Sequence, residues 1–141
     1  QFHDYNIAYG SVNLPNVSVF KEQIEILKEF GLKTPPSQEQ TKDIDFLLIL
    51  GELFTLVAYG QLIIENAGIY DIENDILDQI FNFMVRDFSK FALQLYSKPS
   101  STKQQMDYAM KMIKKPVADE QRSKSVLEKV YALKGLYEMN P

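Results

Sequence analysis

Apolar residues recur along this chain every three or four positions, the spacing that lines them up on one face of an α-helix. No stretch alternates apolar and polar residues over the length of a strand, and no Asn-Gly hairpin signal occurs. The periodic pattern begins at Leu14, after thirteen residues carrying Tyr, Asn, Gly and Ser without a sustained period. Residues 1–13 therefore read as an arm or linker, and residues 14–141 as one helical domain. Val17, Phe20, Ile24 and Leu27 form the first apolar face. Gly31 offers that helix a stop, because glycine enters the left-handed cap conformation without a Cβ penalty. Pro35 and Pro36 then hold the connection extended.

A capping box at Ser37 and Gln40 opens a second, much longer helix, expected over 38–67 with Gly68 as its terminator. Such a helix would span roughly 45 Å. Its stretch from Ile44 to Ile64 is apolar enough to raise the question of a membrane span. Asp45, Glu52 and Gln61 argue against one, since a carboxylate near a bilayer centre costs about 3 kcal/mol or more without a partner. A central helix of a bundle fits better, and no transmembrane segment is expected. Gly51, Thr55 and Ala58 make a small-residue seam on it, where another helix or subunit could approach closely. Asp45, Glu52, Tyr59 and Asn66 recur every seven residues as a polar stripe. That stripe reads as a face toward water or a polar seam, and no Glu-x-x-His metal pattern accompanies it.

The third helix is expected over 72–96, opened by Asp71 and acidic in its first turn at Glu73 and Asp75, which suits the positive end of the helix dipole. Leu77, Phe81, Met84, Phe88, Phe91 and Leu95 make its apolar face, and Arg86 or Asp87 is a candidate partner for Glu52 across the bundle. Pro99 ends it. A second capping box, Ser101 with Gln104, opens a fourth helix running to Lys114, with Met106, Ala109, Met110 and Ile113 facing the core. Pro116 closes that helix. A last one opens near Asp119, carries Val126, Leu127, Val130 and Leu133, and stops before Gly135. Leu136, Tyr137 and Met139 follow as an apolar tail expected to pack on a partner surface. The fold class is all-α: an antiparallel helical bundle of four to five helices with one long central helix.

Composition narrows the chemistry. The 141 residues include no Cys and a single histidine, His3. Thiolate metal sites, disulfides, thiol nucleophiles, a Ser-His-Asp triad and a multi-histidine centre all lack their parts. No phosphate-cradling glycine loop occurs. The net charge of −4 argues against nucleic-acid binding, which depends on Lys and Arg neutralising phosphates. Charge is unevenly placed: residues 1–99 hold 14 acids and 7 bases, residues 100–141 hold 5 acids and 8 bases. Lys103, Lys111, Lys114 and Lys115 carry much of that basic excess and read as a solvated helix face. The chain begins with Gln1 and shows no secretory signal pattern. It reads as a piece of a longer cytoplasmic protein.

Several segments add a resemblance. Gly51-Glu52-Leu53-Phe54, Tyr59-Gly60-Gln61-Leu62 and Arg86-Asp87-Phe88-Ser89 are similar to the C-terminal helical region of bacterial acyl-CoA dehydrogenase-like flavoproteins. The likeness continues through Leu95-Tyr96-Ser97-Lys98-Pro99-Ser100-Ser101-Thr102 and Lys115-Pro116-Val117. It ends with Tyr131-Ala132-Leu133-Lys134-Gly135 and Tyr137-Glu138-Met139-Asn140-Pro141. These pieces cover residues 44–141. The resemblance implies a parent enzyme that uses FAD and a glutamate base to remove two hydrogens from an acyl-CoA. It also implies that flavin and thioester sit in a core upstream of the matched region. Glu52 and Glu138 lie in matched segments, yet neither matches the catalytic base. The expectation is an accessory domain without catalytic residues or its own cofactor, packed on the acyl-CoA dehydrogenase core or between subunits of a homo-oligomer. The alternative is a free-standing helical ligand-sensing or interaction domain, such as the effector half of a bacterial regulator.

Overall fold

The computed structural model describes residues 4–136. Six α-helices pack against one another: α1 (Tyr5–Gly10), α2 (Pro15–Lys33), α3 (Ile44–Ile69), α4 (Asn74–Ser97), α5 (Lys103–Met112) and α6 (Glu120–Ala132). The fold is an all-α helical bundle, and no strand occurs among the described residues. Its core is strongly aromatic. Phe20 on α2 meets Phe81 and Phe88 on α4 edge to face, with ring centroids 5.4 and 5.5 Å apart, an arrangement that sets positive ring edges on negative ring faces. The apolar face expected on α2 is buried throughout, and that of α4 is buried except at Phe91, which is partly covered. α4 packs on α2, α3, α5 and α6.

The stretch expected as an arm contains a helix. Asp4 caps α1 by accepting from the Asn6 amide at 3.0 Å, and Ala8 and Tyr9 are buried. Tyr9 is the reason this short element stays in place. Its ring packs on Phe20 and Phe81, and its hydroxyl donates to the Val57 carbonyl on α3 at 2.8 Å.

Helix ends differ from expectation in instructive ways. Gly31 lies inside α2, which continues to Lys33 and ends where Thr34 returns its amide to the Phe30 carbonyl at 2.9 Å. Gly68 lies inside α3; the left-handed residue after that helix is Asp71, at φ 52°, a conformation that Asp tolerates better than most side chains. Ser37 and Gln40 do exchange the capping-box bonds at 3.0 and 3.2 Å. They close a single 3₁₀ turn, Gln40–Lys42, and α3 is capped separately by Asp43, which accepts from the Phe46 amide at 3.2 Å. The second box sits one residue later than expected. Thr102 and Gln105 make it, so the buried face of α5 is Gln105, Ala109 and Met112, while Met110 and Ile113 are exposed. The two boxes are then joined: the buried Gln40 and Gln105 amides bond to each other reciprocally at 2.7 and 3.0 Å.

Candidate functional site

The longest helix is the least covered. α3 packs one side on α1 and α4, burying Phe46, Ile49, Leu50, Leu53, Gly60, Ile64 and Ala67. Its other side exposes Ile44, Leu47, Leu48, Phe54, Tyr59, Leu62 and Ile69. Large apolar residues this dense on one exposed helix face are rare on a free surface and mark contact sites. By length and composition alone α3 could also cross a membrane. Asp45, Glu52, Tyr59 and Asn66 are all exposed, which places the polar stripe toward water.

The small-residue seam lies on that open side. Gly51 and Thr55 are exposed and Ala58 is half-buried. A Cβ added at Gly51 would meet nothing within 4 Å, so no helix among the described residues approaches there. The Thr55 hydroxyl turns back to the Gly51 carbonyl at 2.7 Å. The close approach falls instead at Gly60, where a Cβ would collide with the Tyr9 hydroxyl and lie 3.1 Å from the Phe20 ring. The expected seam did not include Gly60, which lies two residues beyond Ala58 on the opposite side of the same helix. Leu136 is exposed, and Tyr137 and Met139 lie outside the described residues. The expected faces of α6 are open too: Leu127, Val130 and Leu133 are exposed, as is Tyr131. Glu52 pairs with neither Arg86 nor Asp87 among the described residues; the Arg86 guanidinium lies over the Phe83 ring at 5.9 Å.

Two grooves border these faces. One, of about 390 Å³, runs between α1, α2 and α3 and is lined by Tyr5, Ile24, Leu27, Leu32, Phe54 and Val57, with Lys28 at its edge. Tyr5 is held there by a 2.9 Å hydrogen bond to Glu25. Burial, helped by that carboxylate, pushes its phenol up to about 12. Burial alone pushes Tyr9 up as well. Both phenols therefore stay protonated near neutral pH and act as hydrogen-bond donors, not as bases. The second groove, of about 340 Å³, lies between α4 and the start of α6, where Gln79, Asn82, Arg86 and Lys124 border it.

Beneath this second groove is a buried polar network that the apolar periodicity did not reveal. Asp78 on α4 accepts from the Asn16 amide at 2.9 Å and pairs with Arg122 on α6. Arg122 also donates to the Gln79 side chain at 3.2 Å and to the Val117 carbonyl at 3.1 Å. Asn16 returns to the Val117 amide at 2.7 Å. Further along, Gln23 donates to the Ser89 hydroxyl at 3.1 Å and the Met112 carbonyl at 2.9 Å, and Ser89 donates to the Lys114 carbonyl at 2.7 Å. These bonds strap the extended connection between α5 and α6 across α2 and α4. The signal in the sequence was a polar residue beside each core position: Asn16 before Val17, Gln23 before Ile24, Asp78 after Leu77.

No group of three or more His, Asp or Glu side chains converges as a metal site among the described residues. No known family model, curated protein or solved structure matches this chain.

Proposed function

We propose that this chain is a non-catalytic helical domain that packs on a larger protein through the open face of α3. The observation that carries the reading is the row of exposed apolar side chains flanking Gly51, Thr55 and Ala58. Small residues let a neighbouring backbone come close, and large ones beside them bury area as it does so. Glu52, midway along the row, suits a protein partner better than the interior of a bilayer. The resemblance of residues 44–141 to the C-terminal region of acyl-CoA dehydrogenase-like flavoproteins supplies the partner: the FAD-bearing core of such an enzyme, or its neighbouring subunit. On this reading flavin, acyl-CoA and the catalytic base all belong to the core.

The intact gene product is then expected to purify yellow, with bound FAD, and to oxidise an acyl-CoA when given an artificial electron acceptor. The 141 residues alone are expected to bind no flavin. A colourless, flavin-free gene product would sink the proposal.

One observation favours a second reading, a ligand-sensing bundle. The apolar groove between α1, α2 and α3 is of a size that takes a small molecule. A small apolar ligand that binds there would raise the melting temperature by mass action. No shift with a panel of apolar ligands would remove this reading.

A further inference from the structure

The open face of α3 is a regular seam. Leu48, Thr55, Leu62 and Ile69 recur every seven residues, and Ile44, Gly51, Ala58 and Glu65 do the same between them. Seven of the eight are exposed and Ala58 is half-buried. Alternating steps of four and three are the spacing at which one helix of a coiled coil meets another, and here no helix among the described residues lies against it. The seam runs the full 26 residues of α3, about 39 Å. Beside it lies the polar stripe, also of period seven. Its first half holds two carboxylates, Asp45 and Glu52, and its second half two hydrogen-bond donors, Tyr59 and Asn66.

We infer that a second copy of this chain covers the face, its α3 running antiparallel to the first. Centred between Thr55 and Ala58, such a pair sets Leu62 of each copy opposite Gly51 of the other, and Thr55 opposite Ala58. Large side chains then meet small ones, and Ile44 meets Ile69 at both ends. Glu65 shares a layer with Leu48, but Gln61 donates to its carboxylate at 3.1 Å and draws it to the rim. The same register brings Glu52 beside the Tyr59 hydroxyl of the other copy, and Asp45 beside the Asn66 amide. It keeps the two Glu52 carboxylates about 14 Å apart along the axis, beyond the Debye length of about 8 Å. Parallel helices would stack Gly51 on Gly51 and Glu65 on Glu65, and would set Glu52 against Leu47 of the other copy. Seven large apolar side chains on or beside the seam are more than two-fifths exposed. That area is of the order a standard interface buries on each partner, about 800 Å². The inference rests on α3 being the contact face and names a second copy as what lies on it; the flavoenzyme reading does not enter.

The test uses the 141-residue chain, which contains no cysteine. Sedimentation is expected to show a discrete dimer. Ile44→Cys and Ile69→Cys, mixed under oxidising conditions, are expected to form a disulfide with each other. Neither should form one with itself, because like positions then lie about 38 Å apart. Gly51→Leu separates a fitted seam from a merely sticky face. A Cβ at Gly51 meets nothing within 4 Å, so this variant should fold with its helicity intact. It is expected to raise the dimer dissociation constant more than about tenfold by filling the place that Leu62 takes. Adding Leu62→Ala, which moves the large residue across the layer, is expected to restore the dimer. Tyr59→Phe removes only a hydroxyl and is expected to weaken the dimer about tenfold, since the contact occurs twice. A monomer at high concentration, disulfides between like cysteine variants, or tighter association in Gly51→Leu would each overturn the inference. If Gly51→Leu does not fold, the disulfide pattern decides. A colourless gene product with the expected disulfides fails only the flavoenzyme reading, and a yellow one that stays monomeric fails only this inference.

Discussion

Tyr9 and Gly60 show how one pair of residues fixes where two helices meet. The Tyr9 phenol is wedged between Phe20, Phe81 and the backbone of α3, and only a residue without a Cβ leaves room for its hydroxyl. On an exposed helix, Gly→Ala would stabilise by about 1 kcal/mol through propensity. Here the methyl group must displace a ring held on both sides, and overpacking of that kind costs about 1–3 kcal/mol. Gly60→Ala should therefore lower stability in a urea titration. In a Tyr9→Phe background, which removes the colliding atom, the same change should cost clearly less. Equal costs in the two backgrounds would mean that the phenol is not what excludes the methyl. Of the seam expected from sequence, Gly51 carries no such constraint. Both glycines sit in the same helix with similar neighbours in sequence, and only the position of α1 tells them apart.

Among the elements, α6 depends most on a single contact. Among the described residues it packs mainly on α4, and Arg122 is its one buried residue. Removing Arg122 leaves Asp78 charged and buried, and breaking one side of such a pair costs about 3–5 kcal/mol. Arg122→Met should release α6, seen as rapid amide exchange and proteolysis in residues 120–132 with α2 and α4 still protected. Uniform loss of protection would mean that α6 and the bundle unfold together. The start of α3 has a different sensitivity. Asp43 is held below the usual carboxylate range, first by the Phe46 amide and next by Lys98, whose ammonium lies 3.1 Å away. A depressed folded pKa gives stability that is present above the unfolded value near 4 and is lost as pH falls through the lower folded value. Asp43→Asn should accordingly flatten the acid limb of a stability–pH curve and leave its alkaline limb unchanged. An acid limb identical to the parent's would remove Asp43 from the account.

For the whole molecule, the open sides of α3 and α6 outweigh any feature of the core. Isolated at high concentration, the chain should self-associate through the face bearing Leu48 and Leu62, because exposed apolar area of this extent is buried whenever a surface offers itself. Sedimentation should show this, and Leu48→Glu with Leu62→Glu should return a monomer of unchanged helicity. A parent chain that stays monomeric would count against α3 as a contact face. The helical class, the number of long helices and the core of α2 and α4 could be read from spacing, since a period near 3.6 leaves no other way to bury Phe20, Ile24, Phe81 and Phe88 together. The cap Asp119 was also legible, because a cap is satisfied within a few residues of itself; the Ser37–Gln40 bonds form as expected, but around a 3₁₀ turn and not at the start of α3. Other features were settled only by the packed chain. Whether Gly31 and Gly68 end a helix, which side of α3 is covered, that Tyr9 anchors a helix in the first residues, and that Asn16, Asp78 and Arg122 meet all depend on partners far away in sequence. Local pattern records what a residue prefers. It carries no record of which distant atoms arrive to satisfy that preference, or, along α3, fail to arrive.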